Sequence, residues 1–359
     1  MGGPRGGTNP LEARTKRAAA TCRKRACTNI RVMNTNRRQL ILAGTALGLA
    51  PWQPAFGAAL PEPLDGQWPD PDRARTLPWR LRLPAGAGPW PLVLHSHGLG
   101  GSREGGAVWG RAWAEAGLAV LHLQHPGSDS EVLRSGLRQL RQAASPEQLL
   151  ARVQDVRSVL DQCARRAAAS EAPWAALRLD AVGLSGHSFG AVTTQAVAGQ
   201  RFPAGAPLDD LRPRAFIAFS PSLPRGGQRT PQQAFGAITR PLLAVTGSHD
   251  GDPFGQGDSR DNGEPRARVY DGLPPGQRAL LWLDGADHMT FGGGTPRRVP
   301  SVGPFQRIGA AAEQEPRHHA LVARLTTLWW RAQLLGDADA AAALRQPQAL
   351  GPGDRWVLG

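Results

Sequence analysis

The sequence predicts an α/β protein, with a mostly parallel central sheet, helices on both of its faces, and a single domain. Three observations carry this. From residue 78 onward short apolar runs alternate with helical stretches, glycine turns mark the ends of several runs, and no break interrupts the pattern. Length and composition permit such a core: 359 residues, 41% hydrophobic, with 44 Gly and 32 Pro, describe a globular chain rather than a disordered polymer.

The formal net charge of +13 would suggest a nucleic-acid or anionic-membrane partner if it were spread over the folded part. It is not. Residues 1–59 hold 10 Lys and Arg against the single acid Glu12, which leaves 32 basic and 28 acidic residues for 60–359, so no nucleic-acid partner is expected. Within 1–59, Arg37-Arg38 directly precedes an apolar run, 40–50, and small residues follow at 54–59. Pair, run and small residues in this order read as a twin-arginine export signal cleaved near 57–59, and imply a periplasmic or secreted protein. The run is too short to span a bilayer, so no permanent membrane span is expected. Met33 offers an alternative start, which would leave 1–32 untranslated. The domain proper is then 60–359.

The expected strands are 79–83, 92–96, 119–124, 181–184, 215–219, 242–246 and 279–283. Between 146 and 169, Leu149, Leu150, Val153, Val156, Leu160 and Cys163 recur at three and four, a helical stripe facing a core. Leu321, Leu325, Leu328 and Trp329 do the same in a helix expected to begin after Pro316, with His318 and His319 at its solvent-facing start. The stretches 252–275 and 291–306 read as irregular loops at the carboxyl edge of the sheet, where sites form. Leu133, Leu137 and Leu140 could line either a small cap helix or the core.

Gly186-His187-Ser188-Phe189-Gly190 lies between the run 181–184 and a helical stretch, so G-x-S-x-G falls on a strand-to-helix turn. This is the pattern of a nucleophile elbow, in which Gly186 and Gly190 leave room for neighbouring backbone and the serine hydroxyl is exposed. The run 92–96 ends in His97-Gly98-Leu99-Gly100-Gly101, a glycine turn suited to an oxyanion donor. The expected pair of donors is the backbone N–H of Leu99, just after Gly98, and that of Phe189. A dinucleotide fingerprint fails there because Arg103 stands where its third glycine belongs. A serine nucleophile also needs a base and a group to orient it, in the chain order serine, acid, histidine. Asp250 follows the run 242–246 and His288 follows 279–283, so His288 is the expected general base and Asp250 its orienter, with Asp252 as the rival acid. Remaining histidines read as structural, Cys163 as core, and no Cys/His cluster suggests a metal.

Ser96-His97-Gly98-Leu99-Gly100-Gly101, Gln124-His125-Pro126-Gly127, Gly186-His187-Ser188-Phe189-Gly190 and Asp287-His288-Met289-Thr290-Phe291 together resemble the α/β-hydrolase superfamily. More narrowly, they are similar to the bacterial platelet-activating-factor acetylhydrolase-like and dienelactone-hydrolase-like esterases. The resemblance implies the α/β-hydrolase fold, an acyl-enzyme on Ser188, no cofactor, and a small-molecule or lipid ester as substrate. Two departures stand out. Ser220-Pro221-Ser222 offers no carboxylate where the eukaryotic acetylhydrolases carry the triad acid, and position 188 is Ser where a dienelactone hydrolase has Cys. An amidase or peptidase on the same triad, or a non-catalytic binding protein on this scaffold, remain alternatives.

Overall fold

The computed structural model describes residues 59–134, 139, 142–203, 205–224, 229–253, 262–294 and 311–359, together with Gly2. The leader with its Arg37-Arg38 pair, the alternative start at Met33 and the cleavage position lie outside these residues, as do the side chains of Leu133, Leu137 and Leu140.

Among the described residues nine strands form one sheet in the order β1-β2-β4-β3-β5-β6-β7-β8-β9. They are β1 Leu64–Asp70, β2 Arg75–Arg82, β3 Trp90–Ser96, β4 Ala119–Leu123, β5 Leu177–His187, β6 Pro213–Phe219, β7 Leu242–His249, β8 Arg278–Asp287 and β9 Arg355–Leu358. The block from β4 to β8 is parallel throughout, while β1, β2 and β9 run antiparallel to their neighbours. Helices are α1 Ala107–Glu115, α2 Ser130–Arg134, α3 Pro146–Ala168, α4 Phe189–Ala198, α5 Pro231–Phe235, α6 Glu264–Gly272, α7 Ala311–Leu335 and α8 Ala338–Arg345.

Helices cover both faces because the central strands alternate between two cores. Leu92, Leu94, Phe216, Ala218, Leu242, Ala244 and Leu280 pack with α3, α4, α5 and α6. Val93, Ile217, Phe219, Leu243, Val245 and Leu281 point the other way, to α1, α7 and α8. This is the architecture of the α/β-hydrolase fold in a single domain. No helix among the described residues is long and apolar enough to cross a membrane.

Several elements depart from the sequence expectation. Strands β1 and β9 were not anticipated; β1 contains Gly66 and Pro69 and lies at the sheet edge, where a weak strand pattern suffices. Strands β7 and β8 run on to His249 and Asp287, across a register shift between Gly247 and His249, so Asp250 and His288 follow their strands directly. Helix α6 lies within the stretch expected to be irregular, anchored by buried Arg266, Ala267 and Val269 with Pro265 in its first turn. Helix α7 does not begin after Pro316 but includes it. A proline this close to the start removes only the bond to the carbonyl four residues earlier, which tertiary packing of the long apolar stripe outweighs.

That longer helix also changes two histidines. His318 and His319 are not solvent-facing: His318 is fully buried and its Nε2 donates to the Asp284 carbonyl at 3.0 Å, while His319 Nε2 donates to the Thr290 carbonyl at 3.0 Å. Both tie α7 to the segment that carries His288.

Candidate active site

The chain crosses from one side of β3 to the other between β4 and β5, so the carboxyl ends of β3 and β5 are neighbours at a switch point of the sheet. The β3 end leads into Gly98-Leu99 and the β5 end into Ser188. At Ser188 the backbone takes φ 55° and ψ −114°, a conformation costly for a residue with a side chain, between the strand and α4. Its N–H donates to the Phe219 carbonyl at 2.9 Å, which pins the turn to β6. The two flanking glycines have no alternative. A Cβ on Gly186 would lie 2.3 Å from the Gly190 carbonyl oxygen, and one on Gly190 would lie 2.0 Å from that of Ser96.

Three side chains from three strand ends meet at this turn. His288 Nε2 lies 3.0 Å from Ser188 Oγ, and His288 Nδ1 donates to Asp250 Oδ1 at 2.8 Å. The carboxylate on Nδ1 selects the tautomer in which Nε2 is free to accept the serine proton. Asp250 is fully buried and its Oδ2 accepts from Thr246 Oγ1 at 2.8 Å. Burial alone would raise its pKa; the Arg266 guanidinium and the bond from His288 outweigh this and hold it below the usual carboxylate value. Asp252, two residues on, is exposed, and the His288 bond goes to Asp250.

Arg266 has no counterpart in the sequence expectation. Its Nε donates to the Asp250 carbonyl at 2.7 Å and stands 3.0 Å from Asp250 Oδ1, and its Nη2 donates to the Gly251 carbonyl at 2.7 Å. Its Nη1 reaches the carbonyls of Ser220 and Pro221, both at 3.0 Å. One side chain therefore braces the end of β7, which carries the acid, against the end of β6.

The loop after β3 runs against the nucleophile: a Cβ on Gly98 would come within 3.3 Å of Ser188 Cβ. Leu99 follows on that loop, half-buried, and Phe189 is the first residue of α4. Next to them lies a second Ser-His-Asp constellation that the sequence did not suggest. His125 Nδ1 donates to Asp155 Oδ2 at 2.9 Å and His125 Nε2 is 3.1 Å from Ser96 Oγ, with all three side chains buried. Burial pushes the His125 pKa down to about 4, while that of Asp155, bound by Arg73, Arg75 and His125, falls to about 2. The Ser96 hydroxyl is closed to solvent, so this second set braces the loop and has no route to a substrate. His95 and His122 are also buried and neutral, with their pKa values pushed down by burial. Cys163 sits in the core, its thiol pushed up to about 12 by burial.

A half-buried serine held by a strained turn, a histidine positioned to take its proton, and a buried carboxylate behind that histidine can perform acyl transfer to water. On this fold the arrangement supports a serine hydrolase. Among the described residues no group of His, Cys, Asp and Glu could hold a metal ion.

No protein-family model matches the chain, and no curated protein matches it. Among solved structures, the crystal structure of the 2,6-dihydroxy-pseudo-oxynicotine hydrolase aligns with 76% of this chain and 68% of its own, at 15% identity and a TM-score of 0.49.

Proposed function

We propose that the protein is an exported serine esterase, cleaving carboxylic esters of small acyl groups through an acyl-enzyme on Ser188. The observation that carries this reading is the unbroken line from Asp250 Oδ1 through His288 to Ser188 Oγ, at 2.8 and 3.0 Å. In the first step Ser188 Oγ adds to the ester carbonyl carbon while its proton passes to His288 Nε2. The carbonyl π pair moves to oxygen, and that oxygen meets the N–H groups of Leu99 and Phe189. Collapse expels the alcohol, which takes the proton from His288. Water then enters by the same route, with His288 as base, and releases the acid. No step calls for a cofactor. Esters are favoured over amides because an ester carbonyl is more electrophilic than the resonance-stabilised carbonyl of an amide, and short acyl chains over long ones because no long insertion interrupts the alternation of strand and helix patterns in the sequence. The arginine pair at Arg37-Arg38 supports export to the periplasm or medium.

The test is hydrolysis of p-nitrophenyl acetate, butyrate and octanoate by wild type and Ser188→Ala, together with labelling by a fluorophosphonate. Turnover and label should vanish together in the variant, with acetate or butyrate preferred. Equal background from both proteins and no label on wild type would overturn the esterase reading. Faster cleavage of amides than of matched esters would replace it with an amidase. Replacing Arg37-Arg38 by Lys-Lys should retain the protein in the cytoplasm on cell fractionation; unchanged export would refute the twin-arginine route.

A further inference from the structure

Arg152 lies on the inward stripe of α3 and has no exposed surface. A buried cation is ordinarily paired with a carboxylate, because leaving water is costly for a charge. Among the described residues this one has no such pair. Its Nε donates to Thr193 Oγ1 and its Nη1 to Ser128 Oγ, each at 3.0 Å, and its Nη2 donates to the His97 carbonyl. Its Cζ stands 4.7 Å over the ring of Phe189. Two buried carboxylates, Asp155 and Asp129, oppose the effect of burial from a distance, but Asp155 is bound to Arg73, Arg75 and His125, and Asp129 accepts from Gln124. Burial draws the Arg152 pKa down to about 9, which still leaves a cation at neutral pH.

The contacts of this guanidinium fall on both sides of the nucleophile. His97 precedes Gly98 and Leu99 on the loop after β3, whereas Phe189 and Thr193 belong to α4. The loop side is fixed further by the His97 ring, whose Nδ1 donates to the Gly98 carbonyl at 2.6 Å and whose Nε2 accepts from the His125 N–H at 3.0 Å. The Gly98 carbonyl accepts a second bond from the Gly101 N–H at 3.0 Å. Since the Gly98–Leu99 peptide is planar and trans, holding that carbonyl in one direction holds the Leu99 N–H in the other.

We propose that Arg152 is the positioning residue of the oxyanion hole, tying the loop that presents the Leu99 N–H to the helix that presents the Phe189 N–H. The proposal rests on the esterase reading above, since it needs that oxygen to form. Arg152 does not touch the reacting atoms. It acts by keeping two donors at a fixed separation, which matters most when the ester carbonyl has become an alkoxide.

The experiment uses the full chain as wild type, Arg152→Met, Arg152→Lys and Thr193→Val. Each is measured for kcat and KM on p-nitrophenyl acetate, for thermal unfolding, and for inhibition by an alkyl trifluoromethyl ketone, which forms a negatively charged adduct with a serine. Arg152→Met should lower kcat about a hundredfold, the scale of losing one oxyanion donor. KM should stay within about threefold, and ketone affinity should fall in step with kcat. Arg152→Lys keeps the charge and should recover about tenfold of the loss, and Thr193→Val, which removes one tether, should lose several-fold with the same split. If Arg152→Met does not fold, the Lys and Val variants decide by the same comparison. Lower melting temperature with kcat and ketone affinity unchanged, or a change confined to KM, would overturn the assignment. A wild type without turnover or label is a different result, since it removes the esterase reading itself.

Discussion

His187 donates from Nε2 to the backbone carbonyl of His288 at 2.9 Å, and the two rings sit 4.8 Å apart. The residue before the nucleophile thus holds the backbone of the residue proposed as its base. Burial, reinforced by His288 nearby, pushes the His187 pKa down to about 3, so the ring is a neutral donor and no competitor for the proton. Replacing it leaves a buried carbonyl unsatisfied, typically a loss of about 1–3 kcal/mol. His187→Phe is expected to lower kcat about tenfold on p-nitrophenyl acetate with KM little changed, while Ser188 still takes the fluorophosphonate. A variant with wild-type kcat would refute this positioning role.

Asp250 and Asp252 make opposite predictions. With Asn at 250 the amide can donate to His288 Nδ1, which favours the tautomer whose Nε2 already carries a proton and cannot accept from Ser188. Asp250→Asn is expected to lower kcat about 10⁴-fold near neutrality, the scale seen when the orienting acid of such a triad is lost. Asp252→Asn should remain within about threefold of wild type. Reversal of the two effects in parallel kinetics would transfer the role to Asp252.

Acid should destabilise the fold well above the range where carboxylates titrate. His95, His97, His122, His125 and His187 are buried with pKa values lowered by burial, to about 3 for His122 and His187 and about 4 for His125. Unfolded, each would titrate near its ordinary value of about 6.5. Between that value and about 4 the unfolded chain takes up protons that the fold refuses, so stability falls as pH falls, by up to about 1.4 kcal/mol per pH unit for each histidine. The lowered carboxylates Asp250 and Asp155 act later: their contribution is full above about 3.9 and is lost only as pH drops further. Melting temperature should therefore drop by more than about 5 °C between pH 7 and pH 5. A flat profile over that interval would contradict the burial of neutral imidazoles.

Gly190→Ala tests the elbow sterically. The added methyl would stand 2.0 Å from the Ser96 carbonyl oxygen and 2.8 Å from that of His97, backbone atoms that cannot move without shifting β3. The expected outcome is loss of soluble protein, or a melting temperature lowered by more than about 10 °C with no turnover. A stable, active alanine variant would mean that the loop after β3 does not pass this close to α4.

The parallel core was legible because its strands are short apolar runs separated by helical stripes, and the spacing of Gly186 and Gly190 around Ser188 marks a turn that few other structures require. Asp250 and His288 were legible because each follows such a run. The edges were not: β1 carries Gly66, Pro69 and two aspartates, and β9 is four residues long, so both derive their strand character from the neighbour they pair with. Arg152 and Arg266 were invisible for a different reason. Each is a charged residue at an inward helical position, and its partners are mostly main-chain carbonyls and hydroxyls distant in sequence, which no local pattern encodes. The inward-turned His318 and His319, one buried and one half-buried, are hidden from the sequence because Pro316 suggests a helix start that tertiary packing moves upstream.

The two Ser-His-Asp sets share one pattern of bonds and differ in their reach to water. Each holds an imidazole Nδ1–H against a carboxylate, at 2.8 Å in His288 and 2.9 Å in His125. The molecule thereby carries its own reference compound. In a proton spectrum the two ring protons should appear at low field, and only that of His288 should move when a covalent inhibitor occupies Ser188. The His125 signal, sealed from solvent, reports what this linkage looks like when no reaction can follow from it.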